Sequence, residues 1–211
     1  MLSATIPRMQ SIHTSSIEQL IEQFQTLPGV GKRSAERFAY HILKTPTNDA
    51  MNMARAIRDV KQNIRNCNCC FNITEDDLCT ICNSSKRNQR QLCVVEFPKD
   101  LFSIEKSGLY NGVYHVLLGK LSPLDHIGPE RLKIAELFQR LKQNEFDEII
   151  LATNPTVEGD ATSLYIIKKI KELNISTHIS RLARGIPAGA EIEFASKAML
   201  SDALSKRQGI N

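Results

Sequence analysis

The 211-residue chain has no tryptophan, and aromatic residues make up only 6% of it. No apolar run approaches the roughly 18 to 20 residues that a helical membrane span needs, which excludes an integral helical membrane protein. The opening "MLSATIPRMQS" is too poor in apolar residues for a secretory signal, so the expected compartment is the cytoplasm. A large excess of one charge is also missing. There are 27 Lys and Arg against 23 Asp and Glu, a net +4. Internal repeats and low-complexity tracts are absent, and the mixed tail, 184–211, carries no clear pattern. A phosphate-binding G-x-x-x-x-G-K-[ST] loop is lacking too. Around "LPGVGKR", Thr26 stands where the first glycine belongs and Arg33 where Ser or Thr belongs. A helix precedes the motif where a strand is required.

What is present is unevenly placed. Residues 1–95 hold 12 Lys and Arg against 8 Asp and Glu, whereas residues 96–211 hold 15 of each. That supports a nucleic-acid-facing first half, with scattered solvated charge as the alternative. Five of the six cysteines fall within the sixteen residues from Cys67 to Cys82. In a reducing compartment such crowding points to a metal and not to disulfides. Within "CNCCFNITEDDLCTIC", Cys67-x-x-Cys70 and Cys79-x-x-Cys82 form two knuckles that can close a tetrahedral four-thiolate zinc site. Four protein ligands leave no position for a reactive water, so the expected Zn2+ is structural. Cys69 is read as a bystander and Cys93 as a core residue.

Three amphipathic helices are expected in the first 65 residues. Ser15 and Glu18 suggest a capping box for "SIEQLIEQFQTL", with Ile17, Leu20, Ile21 and Phe24 on one face. Ala35, Phe38, Ala39 and Ile42 mark the second helix, and Met53, Ile57, Val60 and Ile64 the third. "PGVG" separates the first two, giving a helix–hairpin–helix. Its bare Gly29 and Gly31 would let a phosphate approach the free N–H groups that begin the second helix, beside Lys32, Arg33 and Arg37. Such an element would hold DNA through its backbone without reading sequence. A tight glycine turn between packed helices is the competing reading.

From Leu92 short apolar strands alternate with helices, the pattern of an α/β domain with a parallel sheet covered on both faces. Expected strands are "LCVVE", "VYHVLLG", "DEIILAT" and "STHISRLA". Expected helices are "KDLFSIEKSG", "PERLKIAELFQRLKQ" and "GDATSLYIIKKIKEL". Ligands of parallel sheets gather beyond the carboxyl ends of the strands. There Glu96 ends the first strand, and Glu158 and Asp160 follow the third, so the three acids are expected to converge. Mg2+ is the usual relief for carboxylates brought so close beside phosphates. A capping acid with a solvated neighbour accounts for Asp160 equally well.

The order of "LPGVGKRSAERFAYHIL", the knuckle pair, "CVVEFPKDLFSIEKSG", "GKLSPLDHIGPE" and "ILATNPTVEGDATSLYI" resembles the bacterial RecR family of recombination mediators from about residue 15 onward. The alternating domain is similar to Toprim domains, in which Glu96, Glu158 and Asp160 occupy the acidic positions. The resemblance implies four segments: a helix–hairpin–helix unit (1–65), a four-cysteine zinc finger (66–90), a Toprim domain (91–183) and a C-terminal Walker-B-like or oligomerisation segment (184–211). It also implies a ring-shaped homo-oligomer, usually a tetramer, that clamps single- or double-stranded DNA without catalysis. Such proteins act with RecO and RecF to load recombinase on gapped DNA. Arg33 and Arg37 would line the DNA channel, and Glu158 would face RecO. The chain departs from the family pattern at His126, Ala190 and Ser196, where glycine, glycine and an acid are usual, and at Lys32, where proline is frequent. The alternative reading is a Mg2+-dependent Toprim enzyme that nicks or cleaves DNA. A topoisomerase would need a nucleophilic tyrosine on a separate mobile domain, and no segment is spare to carry one. The nucleotide-handling elements of a primase and the recognition helix of a zinc regulator are not found either.

Overall fold

The computed structural model describes residues 14–207 and residue 209. The chain divides into two compact units, Met1–Asn63 and Ile64–Asn211.

In the first unit, α1 (Ser15–Gln25) and α2 (Lys32–Lys44) form the hairpin. Ile21, Ala35 and Ala39 are buried, and Ile17, Leu20, Phe24 and Val30 pack around them. The two alanines allow the helices to close on each other, and Phe24 meets Phe38 edge to face at 5.7 Å between centroids. The Ser15–Glu18 capping box does not form. The Thr14 carbonyl accepts the first helical N–H, from Glu18, so Ser15 already lies inside the helix, and no side chain caps it. The third expected stripe lies on α3 (Thr47–Asn63), but Met53, Ile57 and Val60 are all exposed, as is Ile64 just beyond the helix. A 3.6-residue repeat dictates that a helix has an apolar face, not that its own unit covers that face.

The second unit opens with a two-stranded antiparallel pair, β1 (Arg65–Asn66) and β2 (Ile73–Thr74), which frames the first cysteine knuckle. Then come β3 (Asn88–Val95), α4 (Pro98–Ser107), β4 (Gly112–Val116), α5 (Ile134–Gln143), β5 (Glu148–Leu151), α6 (Val157–Glu172) and β6 (His178–Arg181). The four long strands form a parallel sheet in the order β4-β3-β5-β6. On one face Leu92, Val94, Val113, Ile149 and Leu151 pack against Leu137 and Leu141 of α5 and Ile166 and Ile170 of α6. On the other, Cys93, Val95, Tyr114 and Val116 pack against Leu101 of α4 and against Cys67, Cys70, Cys79 and Ile81. The cysteine knob therefore does part of the work that a helix does in most doubly covered sheets.

Two expected helices change shape. "PERLKIAELFQRLKQ" breaks into a 3-10 turn at Pro129–Arg131 and α5. Between them, buried Leu132 is extended and Lys133 donates its N–H to the Leu117 carbonyl at 2.9 Å. The helix after β5 starts earlier than expected, at Val157, because the Thr156 hydroxyl accepts from the Gly159 N–H at 3.1 Å. Glu158 thus belongs to the first turn of α6 and not to the preceding loop. The tail adds a 3-10 turn, Ile192–Phe194, and α7 (Lys197–Ser205), whose N-cap is Ser196, accepting from the Met199 N–H. His126 adopts φ 54°, so this side chain occupies a left-handed position that favours glycine. Among the described residues no helix is long and apolar enough to cross a membrane.

Candidate metal centre and nucleic-acid interface

Cys67, Cys70, Cys79 and Cys82 bring their Sγ atoms within 4.8 Å of one another. A tetrahedron with metal–sulfur bonds of about 2.3 Å has sulfur–sulfur edges of roughly 3.8 Å, and the Cys70–Cys79 edge is 3.5 Å. The Cys79 N–H also points at Cys67 Sγ, at 3.3 Å, and so supports the negative charge of a thiolate. Hydrogen bonds from the Cys70 and Cys82 thiols hold the Cys79 thiol far below its ordinary pKa. Three of the four cysteines are buried. The donor set fits a closed divalent site with no open position. Half-buried Cys69 lies beside Cys82, and their hydrogen bond lowers its pKa to about 6. Burial raises the Cys93 thiol to about 12, as expected of a core residue. The knuckle is tied to the sheet through the Val116 N–H, which donates to the Cys70 carbonyl at 2.8 Å.

The hairpin turn is built from Leu27 to Val30. The Val30 N–H donates to the Leu27 carbonyl at 3.1 Å, with Pro28 next and Gly29 at φ 77°, the arrangement of a type II turn. Gly31 follows as the N-cap of α2 in ordinary extended backbone. A Cβ added there would meet nothing within 4 Å, so no contact within the chain demands its bareness. No side chain caps the first turn of α2, and no acid lies in it. Lys32, Arg33 and Arg37 are exposed. Among the described residues none of them forms an ion pair, although the Arg37 guanidinium lies 5.6 Å from the Phe38 ring centre.

The three acids reach one end of the sheet but do not share a point. Among the described residues only the four cysteines bring three or more metal-ligating side chains together. Glu96 is 1% exposed, and both its oxygens accept from Asn154, one from the backbone N–H and one from Nδ2, each at 2.8 Å. Glu158 pairs with Lys120 at 3.3 Å. Its own backbone N–H and then Lys120 hold its pKa below the usual carboxylate range. Asp160 is gripped by Arg184, whose Nη1 donates at 2.9 Å, and by Arg181 at 2.7 Å. Arg184 is the main cause of the lowered Asp160 pKa. The expected convergence is therefore corrected: each carboxylate is matched separately, and the set does not fit a shared Mg2+. The partners that sequence reasoning missed were in view. Asn154 lies in the same string as the acids, Lys120 opens "KLSPLD", and Arg181 and Arg184 lie in "SRLAR". Pairing over such separations leaves no local pattern to read.

A parallel Toprim-type sheet, a glycine hairpin between helices and a four-thiolate knob define a multi-part α/β protein whose basic hairpin and acidic strand ends belong to different units of the chain. A family model of the Toprim domain matches residues 90–183, and one of the RecR helix-hairpin-helix matches residues 17–61. The recombination protein RecR of Rhodopirellula baltica is 47% identical over 196 residues, covering 93% of this chain and 98% of its own. That of Pelotomaculum thermopropionicum is 44% identical over 196 residues, with 93% and 97% covered. That of Acidobacterium capsulatum is 47% identical over 190 residues, with 90% and 94% covered. The chain belongs to the RecR family of recombination proteins.

Proposed function

We propose that the chain is a non-enzymatic DNA-binding clamp of recombinational repair. In this reading it acts in the cytoplasm with RecO and RecF to load recombinase on gapped DNA. The observation that carries the reading is the hairpin. Gly29 and Gly31 expose backbone beside an uncapped helix start, and among the described residues Lys32, Arg33 and Arg37 have no carboxylate to leave when a phosphate arrives. The knob would hold one structural Zn2+ on Cys67, Cys70, Cys79 and Cys82. The four-part division at 65, 90 and 183 follows the same reading. The exposed apolar residues of α3 and of the tail, Ile192 and Phe194, support a homo-oligomeric ring, with a tetramer as the form the family implies. The acidic face, with Glu158 at its rim, is the candidate surface for RecO.

The test is DNA binding as a function of salt, with single- and double-stranded DNA of unrelated sequences. Binding is expected to be indifferent to sequence and to weaken steeply with salt. Arg33→Ala/Arg37→Ala should lower affinity and flatten the logarithmic salt slope by about 1.4 to 1.8, the loss of two phosphate contacts. An unchanged slope would remove the hairpin from the DNA interface. Mg2+-dependent nicking that Glu158→Ala abolishes would replace the clamp by the enzyme.

A further inference from the structure

Carboxylates at the ends of neighbouring strands gather a divalent cation only if several oxygens are free to face one point. Here both oxygens of Glu96, both of Asp160 and one of Glu158 are already committed by built contacts. We propose that the acidic face of the sheet carries its own counter-ions, with Lys120 on Glu158 and Arg181 and Arg184 on Asp160 standing in for Mg2+, so that the face binds no divalent cation.

Glu96 cannot act as the central ligand. Its carboxylate is buried under the first turn of α6, where the position of a Cβ on Gly159 would lie 2.7 Å from Glu96 Oε1. Both oxygens are spent on Asn154. Asp160 offers no free edge either. Arg184 donates to both of its oxygens through its two terminal nitrogens, and Arg181 adds a third contact. Such a forked guanidinium grip is the strongest common arrangement for a carboxylate. The Arg184 side chain is only 22% exposed, so it is held in place and does not sample solvent freely. On the other side, the loop that carries Lys120 is fixed on α6 by the Leu121 N–H, which donates to Thr162 Oγ1 at 2.9 Å. Three side-chain cations and the positive end of α6 thus converge on two acids. A further dication would enter a site already neutralised, against like charge.

The test titrates the full-length zinc-loaded protein with Mn2+, a Mg2+ surrogate, and reads free Mn2+ by electron paramagnetic resonance. The native protein is expected to show no Mn2+ site that depends on Glu158 or Asp160. Arg181→Gln/Arg184→Gln should gain Mn2+ affinity of about tenfold or more, the scale of one pKa unit of charge interaction, and Asp160→Asn added to it should remove the gain. Circular dichroism and zinc content verify the fold of each variant. If the arginine pair fails that check, Lys120→Gln reads the same gain through Glu158. A native Mn2+ site lost in Glu158→Gln overturns the proposal, as does a folded counter-ion variant that gains nothing. Neither result depends on how the hairpin binds DNA.

Discussion

Adding a methyl group at Gly159 is expected to unseat the first turn of α6. A Cβ there would sit 2.1 Å from the Asn154 carbonyl oxygen and 2.7 Å from Glu96 Oε1. The first is backbone and the second a buried carboxylate, so neither can swing aside as a flexible tip would. Overpacking of this kind costs about 1 to 3 kcal/mol. Displacing Glu96 from Asn154 strands a buried acid, at about 1 to 3 kcal/mol more. The helical preference of alanine over glycine returns up to about 1 kcal/mol. A net loss of about 3 kcal/mol corresponds to a fall in Tm of roughly 6 to 12 °C for a unit of this size. The chain has no tryptophan, so near-ultraviolet circular dichroism of the tyrosines, with Tyr114 fully buried in the sheet, reports the transition. A Gly159→Ala protein that melts within about 1 °C of the native one would refute the packing of α6 over Glu96.

Two further outcomes rest on the knob and its neighbour. Cys79→Ser/Cys82→Ser should abolish metal binding, measured by elemental analysis, and lower Tm sharply. Four-cysteine sites contribute on the order of 10 kcal/mol of folding free energy, and here the knob also covers part of the sheet. His115 is completely buried, donates its Nε2–H to the Lys133 carbonyl at 2.7 Å and, among the described residues, has no partner at Nδ1. Burial lowers its pKa to about 4 from 6.5. On acidification the unfolded chain therefore takes up the proton first. Stability is untouched above about pH 6.5 and is lost as pH falls toward 4, by about 3 kcal/mol over the window. The groups around the ring are Lys133, Glu136, Arg140 and the edge of Phe71. Urea unfolding from pH 7 to pH 4.5 should show less pH dependence in His115→Gln than in the native protein; identical slopes would mean that the ring is not the buried neutral group.

The parts of the molecule written in local patterns were legible. Period and apolar content gave the four parallel strands, and two C-x2-C knuckles gave the metal donors, because both depend on residues a few positions apart. What escaped depends on distant partners. Lys120 lies 38 residues from Glu158, and Arg184 lies 24 from Asp160. The break after Arg131 also depends on a distant strand end, through Leu117. The apolar stripe of α3 was visible, but a stripe carries no information about what covers it.

The same residue types end up with opposite duties in the two units. Arg33 and Arg37 stand beside a helix start with no acid in its first turn, and a phosphate can engage them without breaking any ion pair among the described residues. Arg181 and Arg184 are held by Asp160, and Lys120 by Glu158, so a phosphate would have to displace a carboxylate from each. Counterion release rewards a cation only for charge it has not already neutralised. Net charge near zero over residues 96–211 is therefore not a weak version of the basic first half. There two of the five arginines, Arg181 and Arg184, are spent on an acid of the sheet, whereas the proposed DNA contact through Arg33 and Arg37 carries no such cost.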